Sequence, residues 1–242
     1  MSSRASRKEA ARAARELIAR QRRRRRNRLV TAAAVAVLLA AGATGYAVYA
    51  AQDDGGGDFA VPATATADRA GLRVGDGPVT VEVYLDYLCP ACRAFEQEAG
   101  STIDRLVGEG RISVVYHTVA ILDHYSTNRY SSRSAAGAGC AADAGRLTAY
   151  TNALYADQPA EGGAGHTDGR LADLAAGAGI PREPFAQCLS DGRYAGWVTH
   201  VTDEMARSGF NGTPTVLVDG QRLPAPTAAA LTAAVELSES RL

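Results

Sequence analysis

Two cysteines three residues apart are the part of this chain best suited to chemistry. They stand in the run Cys89-Pro90-Ala91-Cys92, directly after the alternating, β-branched segment 79–85. Beyond the pair, apolar residues recur at helical spacings. The pattern predicts a strand, a short turn and then a helix that begins at Cys89.

A helix start changes the chemistry of a thiol placed there. The first turn presents unpaired N–H groups and the positive end of the helix dipole, and both favour an anion. We therefore predict that Cys89 has the lower thiol pKa, while Cys92, nearly one turn further in, is more buried and less acidic. Pro90 suits the first turn because its missing N–H is not needed there. One sulfur that attacks and one that resolves the mixed disulfide are what thiol–disulfide exchange requires.

A zinc site and a pair of structural thiols are the alternative interpretations of this cysteine pair. Zinc needs a second closely spaced pair of ligands, and the remaining cysteines, Cys140 and Cys188, are far apart. The histidines also lack the spacing of metal ligands: they are His117, His124, His166 and His200. The sequence therefore predicts no metal site and no bound cofactor. His117, at the end of a predicted strand, is the histidine expected nearest the cysteines.

The elements that must position the cysteines are those of an α/β domain with helices packed on a mixed sheet. The segment from 121 to 209 has several helical patterns and no convincing strand, so it is predicted to be a helical insertion. Asp219-Gly220 between apolar runs predicts a hairpin. The predicted strands are 72–74, 79–85, 111–119, 215–218 and 221–223, with helices from Cys89 to about 108 and over 227–240. The strands at 79–85 and 111–119 are expected to be parallel, because a crossover helix joins them.

The charge of the chain is strongly asymmetric although its formal sum is zero. Residues 1–28 hold twelve Lys or Arg against two Glu, a net of +10, and the rest of the chain is at −10. Residues 29–51 follow without a single charge. Their number is enough to cross a bilayer at about 1.5 Å per residue. The positive-inside rule then places residues 1–28 in the cytoplasm and everything after residue 51 outside it.

Two other interpretations compete with a retained membrane anchor. The arginine run could bind nucleic acid, but beside an apolar span its role in orientation is the simpler account, and no nucleic-acid partner is predicted. Gly42 and Gly45 break the apolar run, and the residues 48–50 would be tolerated as a signal-peptide cleavage site. In both the anchored and the cleaved case, the domain lies in a compartment where disulfides persist.

The remaining boundaries follow from composition. Residues 52–70 are rich in Asp, Gly, Ala and Thr and predict a flexible linker, which leaves 71–242 as the folded domain. An even number of cysteines fits an oxidising compartment, so we pair Cys140 with Cys188 as a structural disulfide. Such a bridge would contribute about 4 kcal/mol in the chain-entropy model. Two buried free thiols are the alternative.

The cysteine motif at a helix start, together with Gly212-Thr213-Pro214-Thr215 before a later strand, resembles the thioredoxin superfamily. The resemblance is to its DsbA-like, membrane-anchored bacterial branch and covers residues 70–242. It implies a thioredoxin fold with a helical insertion, preceded by the transmembrane helix. It also implies a cis Pro214 that faces the cysteines and a Thr213 main chain that binds an extended substrate segment by β-augmentation. A trans proline at an ordinary strand start is the alternative.

The chain departs from the family pattern in two places. The acidic residue that the family often buries six positions before the first cysteine falls on Val83, and Glu82 points to the other face of the strand. Proton transfer through that acid is therefore not expected. Ala91 stands where strongly oxidising members carry His, which predicts an oxidant milder than those members.

The sequence thus predicts a protein-disulfide oxidoreductase, acting as an oxidase on unfolded or reduced protein substrates. The family implies reoxidation by a quinone-linked membrane partner. A disulfide reductase or isomerase uses the same chemistry from the dithiol form and is the nearest alternative. A thioredoxin-like module that binds without turnover is the alternative from another class.

Overall fold

Strand β2 lies at the centre of the sheet that positions the cysteine pair. The structure, a computed structural model, describes residues 59–242. Its sheet has five strands in the order β1-β3-β2-β4-β5. The strands are β1 (Leu72–Val74), β2 (Val79–Leu85), β3 (Ile112–Thr118), β4 (Thr215–Val218) and β5 (Gln221–Arg222).

The sheet is mixed, as the sequence predicts. β2 and β3 are parallel, with Leu85 opposite Thr118 at their carboxyl ends, whereas β1 is antiparallel to β3 and β4 is antiparallel to β2. Parallel strands end at the same edge of a sheet. The loops that follow β2 and β3 therefore lie side by side, and the first of these loops leads into Cys89.

The helices confirm the predicted crossover and the helical insertion. Helix α1 (Pro90–Gly108) connects β2 to β3. A short 3-10 turn (Asp123–Tyr125) and five helices then separate β3 from β4: α2 (Tyr130–Asp143), α3 (Leu147–Ala156), α4 (Asp168–Gly177), α5 (Arg182–Ser190) and α6 (Ala195–Arg207). The last helix is α7 (Ala228–Glu239).

The core forms where helices cover the sheet. Every residue of β3 is buried, which fits the continuous apolar pattern of a strand covered on both faces. Helix α1 contacts β3 and α7, while α6 contacts β3 and buries Trp197 completely. Phe95, Ile103 and Leu106 form the buried stripe of α1. This packing fixes the orientation of α1, and with it the position of the cysteines at its start.

The segment 59–70 differs from the predicted flexible linker. The main-chain carbonyl of Arg69 accepts a hydrogen bond from the indole N–H of Trp197, 2.7 Å away, and Ala63 N–H donates to Asp143. Ala65 also forms an isolated β-bridge with Leu72. The composition wrongly predicted a flexible linker, because these contacts use main-chain groups. Every residue has such groups, so the contacts produce no periodic pattern of apolar residues in the sequence. The folded unit therefore includes residues 59–70.

The predictions for residues 1–28, 29–51 and 52–58 lie outside the described residues. No helix within residues 59–242 combines the length and the apolar character needed to cross a membrane.

Candidate active site

Cys89 occupies the N-cap of α1, as the strand-turn-helix pattern predicts. Its backbone is extended (φ −70°, ψ 117°), Pro90 stands in the first helical turn, and the Cys89 carbonyl accepts a hydrogen bond from Arg93 N–H. The two cysteines are free thiols, with Cys89 6% exposed and Cys92 1% exposed. Pro90 and Ala91 between them are exposed. The site therefore presents the exposed first two residues of α1 between two nearly covered sulfurs.

The structure brings Thr213 and Pro214 to the same place. The Cys89 thiol donates a hydrogen bond to the main-chain carbonyl of Thr213, with 3.3 Å between sulfur and oxygen. The Thr213–Pro214 peptide bond is cis, which is the geometry that the resemblance implied. Both residues are partly exposed. A partly exposed Thr213-Pro214 segment thus lies beside the Cys89 sulfur.

The pKa values of the two thiols are shifted in opposite directions. The Cys92 thiol hydrogen-bonds to the Cys89 sulfur, and this bond is the largest cause of a Cys89 pKa lowered to about 6. Burial opposes the lowering, while a side-chain hydrogen bond with Thr213 and the N–H groups of Cys92 and Ala91 add to it. Burial, followed by the hydrogen bond to Cys89, raises the pKa of Cys92 well above its ordinary value. Cys89 is therefore the sulfur that becomes a thiolate near neutral pH.

Asp86 is a buried carboxylate that the sequence analysis did not single out. It follows β2, three residues before Cys89, and is 0% exposed. Its side chain accepts hydrogen bonds from the Leu88 N–H, the Leu122 N–H and the Ser131 hydroxyl, at 2.9, 3.0 and 2.6 Å. A charged residue at the end of an apolar strand was the available signal. Its burial depends on partners far along the chain, so the signal alone suggests only a turn.

Gln158 is a second residue that the sequence did not reveal. Its amide nitrogen donates to the carbonyl oxygens of Tyr87 and Cys89, at 3.0 and 2.9 Å. The loop after α3 thereby holds the main chain on both sides of Leu88. No motif marks this glutamine, because its role depends only on where the insertion places it.

The position at which the family often buries an acidic residue, six residues before Cys89, carries no charge in this chain. Val83 is buried and apolar, and Glu82 lies 3.2 Å from Nε2 of His117. The His117 ring stacks on Tyr84, and its Nδ1 lies 2.8 Å from the carbonyl of Ala70. His117 therefore joins the segment before β1 to the sheet.

The other cysteine pair lies in the helical insertion. Cys140 in α2 and Cys188 in α5 form a disulfide with their Cα atoms 6.2 Å apart. The bond closes a loop between residues 48 positions apart. These sulfurs are engaged with each other, so they cannot complete a zinc site with Cys89 and Cys92.

Comparison with known proteins agrees with the fold. The model of the family described as Thioredoxin matches residues 73–237. A disulfide bond oxidoreductase (DsbG) from Mycobacterium tuberculosis is 36% identical, with a TM-score of 0.62 over 69% of this chain and 86% of that chain. DsbA from the same organism is 34% identical, with a TM-score of 0.62 over 69% of this chain and 91% of that chain.

A curated relative extends the comparison to a larger protein. Serine/threonine-protein kinase PknE of Mycobacterium tuberculosis is 32% identical over 160 residues, which are 60% of this chain. The match spans only 28% of the kinase.

This chain belongs to the thioredoxin family. Its described domain is of the DsbA-like, protein-disulfide oxidoreductase type, which confirms the resemblance seen in the two motifs.

Proposed function

We propose that this protein is an extracytoplasmic thiol–disulfide oxidoreductase that oxidises secreted or membrane protein substrates through Cys89 and Cys92. The observation that carries the proposal is the Cys89 sulfur at the start of α1, with its pKa lowered to about 6 beside a thiol whose pKa is raised. A stabilised thiolate favours the reduced enzyme. The Cys89–Cys92 disulfide then gives up its bond readily to substrate thiols.

The reaction is two successive exchanges. A substrate thiolate attacks the Cys89 sulfur, the Cys89–Cys92 bond breaks, and Cys92 leaves as a thiolate that takes up a proton. A second substrate thiolate then attacks the substrate sulfur of the mixed disulfide, and Cys89 leaves as a thiolate. The substrate loses two electrons and two protons, and the enzyme becomes the dithiol.

The edge at Pro214 suits the binding of the substrate chain. Thr213 is partly exposed and its main-chain carbonyl lies beside the Cys89 sulfur, so an extended substrate segment that pairs with this main chain would place its own sulfur near the reacting atom. Pro90 and Ala91 would face that segment. Ala91 offers no side-chain donor to the thiolate, which supports an oxidant of intermediate strength.

The proposed setting is the outer side of a membrane, with residues 29–51 as the anchor and residues 1–28 in the cytoplasm. The uncharged run and the arginines before it support this orientation. The Cys140–Cys188 bond fits an oxidising compartment. The dithiol must be reoxidised after each turnover, and a quinone-linked membrane protein is the proposed oxidant.

Trapping of substrates tests the proposed reaction. In a Cys92→Ala variant the resolving thiol is missing, so mixed disulfides between Cys89 and substrates should accumulate and disappear on reduction. The matched Cys89→Ser/Cys92→Ala variant should trap nothing. Equal recovery of partners with both variants would instead support binding without exchange.

The direction of exchange is decided by the redox state of the pair in cells. Alkylation of acid-quenched cells should find Cys89 and Cys92 largely disulfide-bonded in an oxidase. A largely reduced pair would favour a reductase or isomerase.

Extraction of the membranes with alkaline carbonate tests the proposed anchor. It should leave the full chain in the pellet and release a variant that lacks residues 1–51.

A further inference from the structure

The carboxylate of Asp86 joins three separate parts of the fold. Oδ1 accepts hydrogen bonds from the Leu88 N–H in the loop before α1 and from the Ser131 hydroxyl in α2. Oδ2 accepts from the Leu122 N–H in the segment after β3. A carboxylate with three donors and no contact with water is held in one place. Each of the three hydrogen bonds is strongest when the carboxylate is ionised.

The main chain of the same residue fixes the loop that carries Cys89. The Asp86 carbonyl accepts a hydrogen bond from the Cys89 N–H at 3.0 Å and one from the Tyr155 hydroxyl at 3.3 Å. The loop from Asp86 to Cys89 is therefore a closed turn. These bonds fix the main chain that connects the Asp86 carboxylate to Cys89.

The charges of Asp86 and Cys89 oppose each other. Burial, only partly offset by the three hydrogen bonds, raises the pKa of Asp86 to about 6, and the repulsion from a thiolate at Cys89 is a smaller part of this rise. The other titratable groups around Asp86 are the Cys92 thiol of α1, the Tyr87 phenol, Tyr130 from α2 and Tyr155 from α3. Burial raises the pKa of each of these four groups, so they are neutral where Asp86 and Cys89 titrate.

Coupling between two titrating groups is reciprocal. If the thiolate at Cys89 makes ionisation of Asp86 less favourable, the Asp86 carboxylate makes the thiolate less favourable by the same free energy. A less stable thiolate means a less stable dithiol form, and hence a disulfide that is harder to reduce.

We propose that Asp86 is a positioning residue that ties the loop before Cys89 to the helical insertion and, through its buried charge, restrains the Cys89 thiolate, which weakens the disulfide as an oxidant. The inference rests on the proposed exchange at Cys89 and goes beyond it. It assigns the moderation of the redox pair to a residue that lies outside the cysteine motif.

The first test needs no substitution. The carboxyl carbon of Asp86 is followed by NMR against pH in the full chain, once in the dithiol form and once in the disulfide form. The midpoint should be lower in the disulfide form, because that form has no thiolate to oppose the carboxylate. Equal midpoints in the two forms would overturn the inference.

The second test removes the charge. Asp86→Asn should lower the midpoint of the Cys89 thiolate absorbance by at least about half a pH unit, which is a factor of about three in the ionisation constant. The equilibrium constant for reduction of the disulfide by glutathione should rise at least about threefold with it. The matched control is Glu96→Gln, since Glu96 is a partly buried carboxylate on α1 whose pKa burial raises to about 7. The control should leave both quantities unchanged.

Failure of this inference is distinguishable from failure of the proposed function. A wild-type protein that exchanges disulfides, combined with an unchanged midpoint in Asp86→Asn, would contradict the role of Asp86 alone. A wild-type protein that exchanges no disulfides would contradict the proposed function. If Asp86→Asn does not fold, the comparison of the two redox forms of the wild type decides.

Discussion

Cys89 and Thr213 are 124 positions apart, yet the thiol of one donates a hydrogen bond to the main-chain carbonyl of the other. The acceptor is a main-chain atom, so it is present whatever side chain stands at position 213. The contact forms because α1 and β4 are both held by β2, one following it and the other pairing with it. The sheet, rather than the side chain of Thr213, brings the two together.

Replacing Cys92 by Ala should raise the pKa of Cys89. The Cys92 thiol is the largest cause of the lowered value, and alanine has no donor. The measurement is thiolate absorbance against pH. The control, Cys89→Ala, should show no thiolate near pH 6, because burial holds the pKa of Cys92 well above its ordinary value. A Cys89 midpoint that stays near 6 in Cys92→Ala would contradict this assignment.

The stability of the dithiol form should depend on pH through Cys89. The folded pKa of about 6 lies below the ordinary value of 9.0, so the folded state favours the thiolate. Its contribution is fully present above pH 9 and is lost as pH falls through about 6. Urea unfolding at several pH values measures the change. Subtracting the result for reduced Cys89→Ser isolates it, and a difference independent of pH would refute the prediction.

Gln158→Ala should destabilise the domain by about 1–3 kcal/mol, because the carbonyls of Tyr87 and Cys89 each lose a donor. The effect is measured by chemical unfolding of the disulfide form. Gln187→Ala is the matched control: the side chain of this exposed glutamine donates to the Asp191 side chain at the end of α5, so its loss should change stability by less than about 0.5 kcal/mol. Equal effects of the two substitutions would argue against a special role for Gln158.

Removing the Cys140–Cys188 bond should lower the free energy of unfolding by about 4 kcal/mol, the chain-entropy value for a loop between residues 48 positions apart. The double serine variant is compared with the wild type by urea unfolding. Its Cys89 titration should stay as in the wild type, since the bond joins α2 to α5 within the insertion. A shifted Cys89 midpoint would mean that the two sites are coupled.

Trp197→Phe should loosen the segment 59–70. The substitution removes the indole N–H that donates to Arg69 and leaves a small gap in the core, at a cost of about 1–3 kcal/mol. Limited proteolysis should then cut within 59–70 faster than in the wild type. Tyr125→Phe, at an exposed aromatic residue, is the control and should not change the rate of cutting.

Local patterns were sufficient to predict the elements around Cys89. The alternation in 79–85 and the helical spacing after Cys92 are periodic signals, and the structure places β2 and α1 within a residue or two of them. The family motif extended this prediction to Pro214, a distant position that no local period connects to Cys89.

The residues that escaped prediction work through distant or main-chain partners. The carboxylate of Asp86 accepts hydrogen bonds from the Leu122 N–H and the Ser131 hydroxyl, and no pattern near position 86 in the sequence predicts these partners. Gln158 acts on two carbonyl oxygens, which every residue possesses. The segment 59–70 is held in the same way, through main-chain groups such as the carbonyl of Arg69.

The bonds from Ser131, Tyr155 and Gln158 all end on the four residues from Asp86 to Cys89. The helical insertion is therefore hydrogen-bonded directly to the loop that carries Cys89. A hinge that swung the insertion away from the strand would have to break all three attachments at once. In the proposed reaction, adaptation to substrates of different shape then comes from the substrate itself and from the rim formed by the exposed Pro90 and Ala91 and the partly exposed Pro214.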